Sequence, residues 1–93
     1  MFDYKLVVSK LNEALFLVSG VLSETQVDNI RSFISAGEWS LALEFLCDML
    51  LENELPVHPR AYELFQETGT ILDLKSENWE MLKPQVINIF NNS

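Results

Sequence analysis

His58 and Cys47 are the single histidine and the single cysteine of this 93-residue chain, and neither has neighbours that would make it a site. Zinc needs several thiolate or imidazole ligands, which these two residues cannot supply. A general-base histidine needs an orienting partner within reach, whereas His58 sits between Val57 and Pro59 and reads as a partly exposed turn residue. Cys47, with Leu46 and Met49 around it on an apolar helix, reads as a small buried hydrophobe. There is no glycine-rich phosphate loop, no nucleophile elbow and no Glu-x-x-His pair of the kind that builds di-iron bundles. Calcium would need its oxygens in a loop with a glycine turn. The residue types therefore predict no catalytic group, no metal and no cofactor.

The chemistry the sequence does carry is charge. Glu44, Asp48 and Glu52 recur at i, i+4 and i+8, which puts three carboxylates in one row on a helix, and Glu54 extends the row into the following turn. Like charges at this spacing destabilise a helix by roughly 0.2–0.5 kcal/mol per pair. A helix shaped by stability alone would interleave Lys or Arg, and this stretch has neither. Glu63 and Glu67 repeat the arrangement on the next helix, with Arg60 as nearby compensation. Two readings are open: a solvated face, or a surface kept acidic for a basic partner. Trp39 and Trp79, near helix starts, are open in the same way, as core filling or as interface anchors, since tryptophan is enriched at binding hot spots.

The whole composition points the same way. Fourteen acidic against six basic residues give a net charge of −8. That opposes binding to phosphate backbones, which depends on Lys and Arg, and docking on anionic lipid. A single cysteine excludes an internal disulfide framework and suits a reducing compartment. Asp3, Lys5, Lys10 and Glu13 interrupt any apolar core a signal peptide would need. No run approaches the ~20 apolar residues of a membrane span. These features predict a cytoplasmic protein.

The elements that must position these residues are helical almost throughout. Tyr4, Val7, Val8, Leu11, Ala14, Leu15 and Val18 recur at three- and four-residue spacing, and Ser19-Gly20 is the expected stop, with Gly20 in the left-handed conformation. Ser23 and Gln26 form a capping-box signature ahead of the stripe Val27, Ile30, Phe33 and Ile34, which Gly37 closes. The third helix, roughly 38–53, is apolar on most of its circumference and so is predicted to be central. Pro59 suits the first position of a fourth helix, whose register Ala61, Leu64, Phe65, Thr68, Ile71 and Leu72 runs through Gly69. A last segment from near Ser76 places Trp79, Leu82, Val86 and Ile89 inward, with Pro84 kinking or splitting it. The predicted fold class is all-α: residues 1–93 as one domain, a single compact bundle of about five short helices.

The stretch Ala36-Gly37-Glu38-Trp39-Ser40-Leu41-Ala42-Leu43-Glu44-Phe45-Leu46-Cys47-Asp48, with Leu51-Glu52, Pro56, Trp79-Glu80 and Leu82-Lys83, resembles the MafI family of bacterial immunity proteins. The similarity runs from about Ser32 to Val86. It implies a small cytoplasmic protein that holds a cognate secreted toxin domain inactive by protein–protein contact. Such toxins are commonly basic nucleases, an EndoU-type ribonuclease among them. Acidic residues would attract such a domain and raise the association rate, and Glu44, Asp48, Glu52, Glu54, Glu63, Glu67 and Trp39 are the candidate contacts. The alternatives are an acidic helical adaptor or nucleic-acid mimic that inhibits a DNA-binding protein and, from a third class, a small enzyme dependent on His58.

Overall fold

In the computed structural model, which describes residues 3–87, the helices follow one another with short connections. They are α1 (Tyr4–Val18), α2 (Glu24–Ser35), α3 (Trp39–Glu52), α4 (Pro59–Ile71) and a single-turn α5 (Glu77–Glu80), with 3₁₀ turns at Ser19–Val21 and Lys83–Gln85. The all-α bundle that the periodicity predicts is what forms.

Each helix begins and ends for a local reason. The Asp3 carboxylate accepts the Leu6 amide at 3.2 Å and caps α1. The predicted stop at Gly20 works differently from expectation: Gly20 does not adopt a positive φ. Instead the chain tightens into the 3₁₀ turn, where i→i+3 bonds serve the last carbonyls, and Ser19 Oγ donates to the Phe16 carbonyl. The Ser23–Gln26 capping box forms in both directions, at 3.1 and 2.9 Å.

Helices α2, α3 and α4 all close with the same backbone device. In each, the amide two residues past the cap returns to the carbonyl three residues before it: Glu38 to Phe33, Leu55 to Leu50, Leu74 to Gly69. The intervening residue must be left-handed. Gly37 takes that position after α2 at φ 76°, but Glu54 (49°) and Asp73 (58°) hold it after α3 and α4. Glu54 pays for its conformation, since a side chain there costs roughly 1–2 kcal/mol.

Helix α3 lies at the centre, as its composition predicts, and packs against all four other helices. Ala42, Leu43, Leu46, Cys47 and Leu50 are its buried face. The most extensive helix pairing is α1 with α4, through Val7, Leu11, Ala14 and Leu15 on one side and Ala61, Leu64, Phe65 and Thr68 on the other. On α2, Phe33 is half-buried and meets Phe45 of α3 edge to face at 5.6 Å.

The last segment is split, as Pro84 predicts, into α5 and the 3₁₀ turn. Trp79 and Leu82 are buried and Val86 is half-buried, while Ile89 lies outside the described residues. What ties the segment down has no signature in the pattern. Gln85 Nε2 donates to the carbonyls of Leu50 and Leu55 at 2.7 and 2.9 Å. Beside it, Val57 and Val86 form an isolated parallel bridge, with Val57 N donating to Gln85 O and Ile87 N donating to Val57 O, each at 2.9 Å.

Gly69 is set by packing. A Cβ there would stand 2.0–2.8 Å from three ring carbons of Trp79, so the indole of α5 lies flush on the backbone of α4. Gly69→Ala is expected to destabilise the protein by about 1–3 kcal/mol through overpacking. In urea unfolding, pairing it with Trp79→Leu should cost less than the sum of the two single changes. Simple additivity would disprove the close approach.

Candidate functional site: an unpaired carboxylate row on α3

His58 and Cys47 each have a structural place in this fold. His58 Nδ1 accepts the Arg60 amide at 3.0 Å, which makes the imidazole the cap of α4. Cys47 is buried. Desolvation by burial, with the Asp48 and Glu44 carboxylates adding to it, pushes its thiol far above the ordinary range. A thiol held protonated is a poor nucleophile. Native Cys47 should therefore resist iodoacetamide at neutral pH and become labelled only as fast as the protein unfolds. Labelling at the rate of a free thiol without loss of helicity would contradict its placement. Among the described residues, no group of three or more His, Cys, Asp or Glu is arranged to hold a metal ion.

The seven partner-contact candidates separate into distinct environments. Glu44 is half-buried at the edge of α3, Asp48 and Glu52 are exposed, and Glu54 is exposed in the turn beyond. Among the described residues, no ion pair reaches any of the four. Neither Arg31 nor Arg60 neutralises them: Arg60 points to Glu13, Glu63 and Glu67.

Glu63 and Glu67 behave differently. Arg60 bonds Glu63 at 3.1 Å and Glu67 at 3.3 Å, and it lies 3.5 Å from Glu13 of α1. Lys10, on α1, donates to Glu67. This compensation is more than the sequence shows, because Lys10 comes from a helix far away in the chain. Glu67 is thus committed to joining α4 to α1 and Glu63 to a pair within α4, whereas among the described residues no ion pair engages the carboxylates of α3.

The Lys10 hydrogen bond, with help from Arg60 and against some desolvation, holds the Glu67 carboxyl below its usual 4.5. Because the folded-state pKa is the lower one, this group's stabilisation is complete above the ordinary carboxylate range and is lost as pH falls through it. Both partners retain solvent exposure, so the effect is small. Lys10→Met should flatten the acid limb of stability relative to the unmodified protein, as read by thermal unfolding from neutral pH to about pH 3. Identical limbs would show that the pair contributes nothing.

Trp39 is half-buried, on the rim of the core. Its indole N–H donates to the Ile34 carbonyl at 3.2 Å, and its ring stacks on Tyr4 with centroids 6.0 Å apart and planes 6° from parallel. Trp39 borders a cleft of about 400 Å³ lined also by Gly37, Glu38, Ser40, Leu41 and Leu72. It borders a second cleft, of about 440 Å³, that includes Tyr4, Val8, Arg31 and Ile34. Trp79, by contrast, is core filling.

Leu41, 44% exposed, was readable as a neighbour of the row, since it lies three residues before Glu44. Tyr4 and Leu72 were not, because only the tertiary fold brings them beside Trp39. No helix among the described residues is long and apolar enough to cross a membrane. No family model matches the chain, and neither a curated protein nor a solved structure does.

Proposed function

We propose that this protein is a toxin-neutralising immunity protein that binds a basic toxin domain, of the nuclease class, through the exposed face of α3. The observation that carries this reading is the row Glu44–Asp48–Glu52, continued by Glu54, which no ion pair reaches among the described residues and which lies on the helix that packs against all four others. A nuclease presents cationic surface to its nucleic acid, and an acidic protein of net charge −8 competes for that surface. Glu63 and Glu67 already serve Lys10 and Arg60, so in this reading they contribute at the margin of the contact. The similarity of residues 32–86 to MafI immunity proteins supports the same class of partner.

A row kept for a partner has a signature in the free protein. Asp48 stands four residues from Glu44 and four from Glu52, so Asp48→Lys converts two repulsive spacings into attractive ones. It is expected to stabilise the isolated protein by about 0.5–1 kcal/mol. The same change should weaken the complex with the toxin domain encoded beside the gene at least tenfold, and flatten its salt dependence. Co-expression, purification of the complex and titration at two ionic strengths make the measurement. Unchanged affinity and salt slope would sink the acidic-surface mechanism. Tight capture of a DNA-binding protein with no affinity for the toxin domain would replace it by the adaptor reading.

A further inference from the structure

The acidic row does not begin with a carboxylate. Leu41, Glu44, Asp48 and Glu52 stand at i, i+3, i+7 and i+11, so one stripe of α3 starts with an exposed apolar side chain and continues with half-buried Glu44 and exposed Asp48 and Glu52. At 1.5 Å rise per residue the stripe is about 16 Å long. Its apolar end opens into the cleft between Trp39, Leu41 and Leu72, whose one charged lining residue among the described residues is Glu38. The second cleft that Trp39 borders contains Arg31 and is the wrong sign for a cation. The wall shared by both clefts is rigid, because the Trp39 ring is fixed at its N–H by Ile34 and on its face by Tyr4. A preformed apolar pocket loses little ordering entropy when it is filled.

From this continuity we infer that the cleft beside Trp39 is the anchor pocket for a basic amphipathic helix of the partner. One apolar side chain of that helix inserts between Trp39, Leu41 and Leu72. Its Lys or Arg residues, one per turn, lie along Glu44, Asp48 and Glu52. The inference rests on the reading of α3 as the partner-binding element and adds the shape and chemistry of what it binds. Division of labour follows: the carboxylates set the association rate and its salt dependence, and the pocket sets the residence time.

Two synthetic helical peptides of about 20 residues test it. Both carry Lys at i, i+4 and i+8. One has Leu a turn ahead of the first Lys and the other has Ala there. Titrated against the full chain by fluorescence anisotropy, the Leu peptide should bind about tenfold or more tightly than the Ala peptide. Leu41→Gln, at an exposed position that tolerates a polar side chain, should remove that difference. Leu6→Gln, an equally exposed apolar position on α1 outside this cleft, should preserve it. Equal affinity of the two peptides, no binding of the Leu peptide, or a difference that survives Leu41→Gln overturns the anchor pocket. The parent reading fails separately, if Asp48→Lys leaves the affinity of the Ala peptide and its salt dependence unchanged.

Discussion

Ala42, Leu43, Leu46, Cys47 and Leu50 share one face of α3, and four other helices reach that helix. A bundle of this size has one core, and here the core is organised around one element. Burial of apolar surface, at roughly 25 cal/mol per Å², makes this face a source of cohesion and fixes the helix on its axis as well as in place. Once the inner face is committed, the outer face is determined to within a few degrees. The stripe from Leu41 to Glu52 is therefore presented by a helix that four others hold in place. Charges on a rigid helix keep their spacing, which side chains on a loop could not do.

The electrostatics divide along the same line. Between α1 and α4, Lys10 pairs with Glu67 and Arg60 with Glu13, while Arg60 also bonds Glu63 and Glu67 within α4. Among the described residues no ion pair reaches the carboxylates of α3. Part of the chain's negative charge is therefore quenched between α1 and α4, and the part along α3 is not. Surface pairs of this kind add little stability, so the asymmetry matters more for approach and orientation than for folding.

Periodicity made much of this legible. The stripes of α1 to α4, the Ser23–Gln26 box, Pro59 at the head of α4 and the break at Pro84 all follow from local rules, and all occur. The row on α3 was legible for the same reason, because i+4 spacing is a property of one helix. What stayed hidden depends on residues distant in sequence. Gly69 reads as a tolerated flaw until Trp79 lies against it. Gln85 is unremarkable until it bridges Leu50 and Leu55. Glu67 looks under-compensated until Lys10 arrives from α1. Gly20 failed for a subtler reason: several devices can end a helix, and a 3₁₀ turn needs no left-handed residue.

The Gln85 bridge also sets an order of events in synthesis. It joins the end of α3 and the Val57 corner to residues that follow α5 in the chain. While those residues are still inside the ribosome, the Leu55 carbonyl lacks its amide donor and Val57 lacks its bridge partner. Trp79 is equally late, so α4 is synthesised before the indole that covers Gly69. The bundle can begin to collapse as α1 to α3 emerge, but its final closure waits for the residues that follow α5.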